Sequence, residues 1–528
     1  MGKEIGIDFG TTNTVISYIN KKGKLRQLRY EGQEIIPTVI YFLSKNEYLI
    51  GNDAKKRYKF KKNKAGCINF KPKVSEKEKY NIVAEDGSRL SLRPKDITKL
   101  FLNKLIRGIE ERLIKEFGPI DGYIEKVVIT VPAKFSSSEK EAIRKAAQNA
   151  GLKTAKLAAE PTAAAIAYQN DIGEDESNQE KAVLVYDFGG GTFDVSVIQK
   201  ENGKFKEIAT NGDKDLGGNK LTACIAEEIL NRINDDYGME MPFDEEEFDE
   251  EICEMSRETY EKNIISIYQV ANSIKEYLSE ELNTSELVNI DFEGKNLECE
   301  IDFSRKDLEK CIKKEIKHTI EITKNTIDEA KEKGAEISQV VLAGGSSNIP
   351  LVKEMLEEKL SRNNDVVYCD DVSTLISRGA AVMANKAQEM SNMTMQITNV
   401  QLGIAATEGV QYGKFQVIIP ENELLPCTKY RNFNLSQDGQ RRLDIVYYER
   451  DIKNYPNAIR IDDNGINEID TLIIDNLPSG LKKDEVIVEV KFTAQSDGSL
   501  DINVNIKDNN GDSIKQGELL IVKESDLE

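Results

Sequence analysis

Two loops of nearly the same design constrain this chain more than any other feature. IGIDFGTTNTVISYI occupies Ile5–Ile19 and VLVYDFGGGTFDVSVI occupies Val183–Ile198. Each is an apolar strand ending in Asp-Phe-Gly, a turn of small residues, and a second alternating strand. Aligned on Asp8 and Asp187, they also match at Gly10/Gly189, Ser17/Ser196 and Ile19/Ile198. One such hairpin is an ordinary glycine turn; two point to a duplicated unit that grips a polyphosphate from both sides. Glycine or a small hydroxyl residue after a strand lets backbone N–H groups face phosphate oxygens with no Cβ in the way. Gly10, Thr11, Thr12 and Asn13 supply one side, and Gly189, Gly190, Gly191 and Thr192 the other. Asp8, Asp187 and Asp194 are candidates to hold hydrated Mg²⁺, an ion that keeps several waters and takes one or two carboxylates. No G-x-x-x-x-G-K-[ST] is present, which excludes a P-loop. The turns also lack G-x-G-x-x-G, which disfavours a Rossmann reading.

Bulk properties exclude several function classes. A length of 528 residues predicts two to four domains. With 39% hydrophobic and 31% charged residues, the composition is that of a globular protein. No run approaches the roughly 18 apolar residues of a membrane span, and MGKEIGIDFG does not resemble a signal peptide. The seven cysteines are scattered without a C-x-x-C pair, the pattern of reduced thiols in a cytoplasmic protein. A single histidine, His318, in a lysine-rich helical stretch rules out a His-based triad or zinc site. The net charge of −20 weighs against nucleic acid as a partner, and no membrane partner is expected either. A local basic run, KKRYKFKKNK at Lys55–Lys64, and an acidic one, DEEEFDEE at Asp244–Glu251, read as solvated faces.

Residues 1–386 read as alternating strands and helices, the pattern of an α/β domain. Val127–Val131 is a short β-branched run, followed by a helix from about Ser137 to Ala150. PTAAAIAY at Pro161–Tyr168 opens a helix with proline in its first turn. A long helix follows Ser304, with Leu308, Ile312, Ile316, Ile320 and Ile327 on one stripe. Val340–Leu342 leads into AGGSSNIP, a third glycine loop, and then into a helix at Leu351–Leu360. Residues 387–399 are polar and methionine-rich, and are expected to form a linker. Period-two runs such as Val486–Phe492 and Leu500–Ile506 then make 400–528 a β-sandwich.

AAEPTAAAIAY, YDFGGGTFDVS, VVITVPAKFSSSEKEAIRKAAQNAGL and VVLAGGSSNIPLV resemble the nucleotide-binding domain of heat-shock-70 (DnaK-type) chaperones, in that family's order. The resemblance implies an actin-like (ribonuclease H-like, duplicated) ATPase domain followed by a β-sandwich substrate-binding domain. It implies ATP/ADP and Mg²⁺ as cofactors, with unfolded or extended polypeptide and co-chaperones as partners. It places Thr11 and Thr12 at the first phosphate loop, and Asp8, Asp187 and Asp194 at the metal and water-positioning carboxylates. Thr192 falls near the γ-phosphate, and Glu160 at the acidic residue that organises metal and water. Lys71, in CINFKPK, falls at the catalytic lysine; by its neighbours alone it is a surface lysine of a basic region. Gly217, Gly218, Lys275, Ser279, Gly344, Gly345 and Ser346 fall at the ribose and adenine contacts.

The chain also departs from the family pattern. Glu276 and Asn348 stand where two arginines typically sandwich adenine, which implies looser nucleotide binding. Lys140 replaces an arginine near the domain interface, and MTMQITNVQLG keeps only a diluted form of the leucine-rich linker. The sequence ends at Glu528, just past the β-domain, so the family's helical lid is not expected. The leading expectation is an ATP-hydrolysing chaperone that couples nucleotide state to polypeptide binding. A nucleotide-switched scaffold with little hydrolysis, bound to one dedicated partner, is the alternative. A sugar-kinase-like activity is disfavoured by EPTAAAIAY. Oligomeric state is left open.

Overall fold

The structure is a computed structural model that describes residues 3–20, 22–61, 64–118, 123–152, 155–172, 182–201, 204–292, 294–360, 365–367, 372–386, 394–395, 398, 400–408, 411–421, 423, 425–452, 455–495 and 500–518. Its first sheet runs in the order Ala155–Ala159, Ile124–Val131, Lys3–Phe9, Asn13–Ile19, Leu25–Gln27. The second runs Asp365–Val367, Ile337–Ala343, Ala182–Phe188, Phe193–Glu201, Lys204–Asp213. In each, the strand ending in Asp-Phe is central, antiparallel to the next strand and parallel to a later one. The sequence repeat is therefore a spatial repeat. Its register is telling: Asp8 pairs with Val15, whereas Asp187 pairs with Asp194, so only the second half presents two carboxylates across one turn.

Nine α-helices are described: α1 (Gly51–Lys61), α2 (Pro94–Phe117), α3 (Ser137–Asn149), α4 (Glu160–Ile172), α5 (Gly218–Tyr237), α6 (Arg257–Tyr277), α7 (Arg305–Glu332), α8 (Pro350–Leu360) and α9 (Leu375–Asn385). Local sequence explains several boundaries. Ser136 and Glu139 form a capping box at α3, and Ser304 and Asp307 do the same at α7. The stripe Leu308, Ile312, Ile316 and Ile320 of α7 is buried in the core of the second half, as its spacing predicts. His318 lies on the opposite side, with 52% of its side chain exposed.

Between the sheets sit α4 and α9. Ala163, Ala164, Ala165 and Ala167 of α4 share a buried cluster with Leu375, Ile376 and Ala380 of α9, and with Val128, Val185 and Val341 from both sheets. Small residues make this possible. A Cβ on Gly379 would lie 1.8 Å from the Ala163 carbonyl oxygen, so the helix backbones are in direct contact there.

Beyond these layers the chain forms two four-stranded antiparallel sheets. One runs Gln411–Ile419, Gln401–Glu408, Leu443–Arg450, Ile466–Ile474; the other runs Cys427–Phe433, Val486–Ala494, Leu500–Asp508, Ser513–Glu518. Val486, Val488, Val490 and Phe492 alternate inward, as do Ile502, Val504 and Ile506, and all join one core with Leu402, Ile404 and Tyr447 of the facing sheet. Of residues 387–399 only Thr394–Met395, paired in parallel with Phe205 and Lys206, and Thr398 are described. The remainder of that expected linker, the turn at 496–499 and the last ten residues lie outside the described residues. No helix among the described residues is long and apolar enough to cross a membrane.

Candidate functional site

The two Asp-Phe-Gly turns face each other. A cavity of about 110 Å³ between them is lined by Asp8, Gly10, Thr11, Thr12, Asn13, Lys71, Glu160, Asp187, Gly189, Gly190, Gly191, Thr192, Gly344 and Gly345. The structure thus brings together both loops, Lys71 and Glu160 from distant parts of the chain. Close approach is a backbone requirement here: a Cβ on Gly190 would lie 2.1 Å from Thr12 Oγ1. Gly344 has φ +80°, and a Cβ there would meet the Phe188 backbone at 2.5 Å and Asp187 Oδ1 at 2.6 Å.

Lys71 is not a surface lysine. It is 2% exposed, and its Nζ donates to Glu160 Oε1 at 2.8 Å. Phe9, Phe70 and Phe101 pack at tilted angles in the core around this region, and Phe135 places its ring 5.5 Å from the ammonium. Glu160 is the first residue of α4, where the helix N-terminus favours a carboxylate.

Carboxylates outnumber cations. Asp8, Glu160, Asp187 and Asp194 converge on the region, with Lys71 between them. Burial, the Glu160 charge and only partial relief from Lys71 and Thr130 push Asp8 up to about 7. Burial and the neighbouring Glu160 likewise raise Asp194 to about 7, against a hydrogen bond from Thr192 Oγ1 at 3.1 Å. Asp187 is held well above the ordinary carboxylate range, by burial first and then by Glu160, Asp194 and Asp8. Thr130 Oγ1 donates to Asp8 Oδ1 at 3.2 Å. The site thus carries excess negative charge that only protons or a bound cation can offset. Among the described residues no three carboxylates stand close enough to ligate one ion directly.

One donor is unspent. Thr12 Oγ1 is buried and has no hydrogen-bond partner among the described residues, although Thr12 lines the cavity. Its backbone is held by Thr38, whose N donates to the Thr12 carbonyl at 2.8 Å and whose Oγ1 donates to the Gly10 carbonyl at 2.9 Å.

The third glycine loop closes one wall. Ser346 Oγ donates to the Gly189 carbonyl at 2.9 Å, and Gly218 N donates to the same oxygen at 3.0 Å. A Cβ on Gly217 would strike Gly191 at 2.4 Å, so this segment also packs directly on the second loop. Lys275, expected as a ribose contact, is held in the structure by neighbouring polar groups. All three of its N–H donors are taken, by the Gly218 carbonyl at 2.9 Å, Thr222 Oγ1 at 2.7 Å and Asn272 Oδ1 at 3.1 Å. Lys275 therefore positions Gly218. Burial lowers it to about 8. Ser279 Oγ is turned back onto the Lys275 carbonyl at 2.9 Å, outside the cavity. Glu276 and Asn348 are exposed, and Glu276 Oε1 accepts from Asn272 Nδ2 at 2.8 Å.

Sequence reasoning did not find Val15, Ile35, Pro132, Val372, Ser373 and Ile376, which complete the cavity wall. Ile376 belongs to α9, whose approach to the site follows from tertiary packing and leaves no local signal.

The chain matches the family model for Hsp70 protein over residues 4–525. It is 30% identical over 538 residues to the chaperone protein DnaK of Mycoplasmopsis pulmonis, covering 100% of this chain and 80% of that protein. It is 28% identical over 521 residues to the chaperone protein DnaK of Mycoplasma mobile, covering 97% of this chain and 78% of that protein. A third DnaK, from Thermosipho africanus, is 28% identical over 512 residues, covering 96% and 77%. With its duplicated sheets, opposed glycine turns and a family match across nearly its whole length, this chain belongs to the heat-shock-70 (DnaK-type) family of ATP-dependent chaperones.

Proposed function

We propose that residues 1–386 form an actin-like ATPase domain that hydrolyses Mg²⁺·ATP in the cavity between the two turns. Residues 400–528 then form a β-sandwich that binds extended polypeptide in response to the nucleotide state. The observation that carries this reading is the unspent Thr12 hydroxyl beside a pocket of excess carboxylate charge. That combination suits an anion chelating a hydrated cation.

In this reading Gly10–Asn13 and Gly189–Thr192 cradle the phosphates through backbone N–H groups and threonine hydroxyls. Asp8, Asp187 and Asp194 hold the hydrated magnesium, which when bound neutralises charge on the phosphates. Lys71, fixed by Glu160, stabilises charge developing on the transferred group and orients the attacking water. Little covalent chemistry is asked of the protein, since positioning and charge stabilisation dominate phosphoryl transfer. Gly217, Gly218, Gly344, Gly345 and Ser346 wall the nucleoside end, with Lys275 and Ser279 behind them. The β-sandwich would recognise a client by strand-like backbone hydrogen bonding plus apolar side-chain contacts.

The test is steady-state ATP hydrolysis, alone and with diverse unfolded apolar peptides. The expected result is slow basal turnover that such peptides raise. Asp187→Asn and Thr192→Ala should each lower turnover tenfold or more, about 1.4 kcal/mol or more in the barrier. Tight ATP binding with flat, near-zero turnover would favour a nucleotide switch instead. Unchanged turnover in both variants removes the residue assignment.

A further inference from the structure

Lys134 reaches from one half of the duplicated fold to the other. It lies in the short loop 132–135 between the strand Ile124–Val131 of the first sheet and Ser136, the N-cap of α3. Its side chain leaves that half altogether. Nζ donates to Asn211 Oδ1 at 3.3 Å and to the Gly212 carbonyl at 3.3 Å, both on the strand Lys204–Asp213 of the second sheet. Other residues of the same loop face the site: Pro132 lines the cavity, and the Phe135 ring lies 5.5 Å from Lys71 Nζ.

The acceptor at Gly212 matters because of what stands opposite it. In the antiparallel pairing of Phe193–Glu201 with Lys204–Asp213, Gly212 is the partner of Asp194. The fit there is tight. A Cβ on Gly212 would lie 2.4 Å from the Phe193 carbonyl oxygen and 3.0 Å from Asp194 Oδ1, so the carboxylate rests against the backbone that Lys134 holds. Asp194 Oδ2 accepts from Thr192 Oγ1 at 3.1 Å, which ties the same carboxylate to the second phosphate loop. The Lys134 charge also acts on Asp194, together with Lys71, against burial and the Glu160 carboxylate.

We propose that Lys134 is a positioning residue for ATP hydrolysis: from the first half it holds Asn211 and Gly212, and through that backbone it sets the Asp194 carboxylate beside the second phosphate loop. This rests on the reading of Asp194 as a residue that holds the hydrated magnesium. Lys134 is not among the residues that line the cavity, and the phosphate turns and the walls at Gly217–Gly218 and Gly344–Ser346 are built without it. Its loss therefore acts on the rate of phosphoryl transfer, where the position of a charged group counts most, and leaves nucleotide binding largely intact. Because the side chain is exposed, water screens the interaction and the effect on rate is modest.

A double-mutant cycle on the full chain tests this, read by single-turnover hydrolysis and calorimetric ATP affinity with magnesium present. Lys134→Met should slow hydrolysis by about two- to fivefold, the factor that an exposed charged contact supplies, with little change in ATP affinity. Lys134→Arg keeps a charged donor and should retain most of the wild-type rate. Asn211→Ala removes one acceptor and should slow hydrolysis less than Lys134→Met does. In the Asp194→Asn background, Lys134→Met should cost almost nothing further, because the charge it positions is already gone. The inference is overturned if Lys134→Met keeps the wild-type rate, if its effect is as large in the Asp194→Asn background, or if affinity falls in place of rate. Each of those outcomes, with Asp194→Asn itself slow, leaves the reading of Asp194 standing. An Asp194→Asn chain that hydrolyses ATP at the wild-type rate would instead remove that reading, and the role of Lys134 with it.

Discussion

At the scale of single residues, Lys71 has carboxylates on one side and, on the other, the rings of Phe9 and Phe135 at 5.8 and 5.5 Å. A buried ion pair in such a place is held by its partner, and removing one member strands the other. Lys71→Met should therefore cost about 3–5 kcal/mol of stability, because Glu160 is left charged and unpaired. Adding Glu160→Leu should recover much of that loss, since apolar residues often replace a buried pair at little cost. Neither variant should hydrolyse ATP. Denaturant unfolding together with an ATPase assay separates the two effects. The carboxylates give a second expectation. Asp8 and Asp194 rise from 3.8 to about 7 on folding, so the stability tied to their protonated forms is complete below 3.8 and lost as pH climbs through 7. The metal-free protein should melt at progressively lower temperature across that window for this reason. Magnesium with nucleotide should flatten the decline and release protons, which calorimetry in buffers of different ionisation enthalpy would detect. None of this was legible from Lys71's neighbours. CINFKPK sits in a basic stretch, and only the packing of Phe9, Phe70 and Phe101 shows that the lysine turns inward.

Elements were easier to read than their mutual packing, and the reason is range. The duplicated hairpins were legible because strand, turn and strand are encoded within about fifteen neighbouring residues, where glycine, hydroxyl and alternating apolar positions act locally. The apolar stripe Leu308, Ile312, Ile316 and Ile320 marked α7 for the same reason. What the local pattern hid is that α4 and α9 face each other between the sheets. Runs of alanine read as good helix former, not as a surface that lets two backbones touch. Ser17 and Ser377, hydrogen-bonded at 2.7 Å, add a polar contact between the first sheet and α9, and a Cβ on Gly6 would strike α9 at 2.1 Å. Gly379→Ala tests this contact. A methyl group placed 1.8 Å from the Ala163 carbonyl oxygen must push the helices apart, at about 1–3 kcal/mol or more. Because α9 also contributes Ile376 to the cavity, nucleotide affinity should fall together with the melting temperature. A loss of stability with unchanged nucleotide affinity would show that the two helices do not set the width of the cleft.

For the whole molecule, the period-two strands beyond residue 400 announced a β-rich unit, but no local pattern could say where it rests. It meets α3. Lys145 of α3 lies 2.9 Å from Asp470 on the strand Ile466–Ile474, a pair separated by 325 residues. Glu141 reaches Lys145 at 3.6 Å and Arg144 at 2.6 Å, so one helix face presents a small charge network to the β-unit. Behind it Tyr447 is buried, and its hydroxyl is pushed above the ordinary tyrosine range by burial and then by Asp470 and Glu141. Lys145 and Asp470 are each more than a third exposed, so the pair itself is worth at most about 1 kcal/mol. Its value is directional: it fixes which part of the β-unit faces α3, the helix that follows the strand carrying Thr130 beside Asp8. Reversing one charge, Lys145→Glu, places it against both Asp470 and Glu141, so repulsion replaces attraction on two sides. The two units should then separate more readily, which small-angle scattering would register as a larger radius of gyration at moderate salt. Peptide stimulation of ATP hydrolysis should weaken, while basal turnover, which depends on residues remote from this contact, should hold. Adding Asp470→Lys should restore compactness only in part, because Glu141 still faces the reversed position. If Lys145→Glu left both the dimensions and the peptide response unchanged, this contact would not couple the units, and the route from cleft to β-unit would have to run through the paired strands at Phe205–Lys206 and Thr394–Met395 instead.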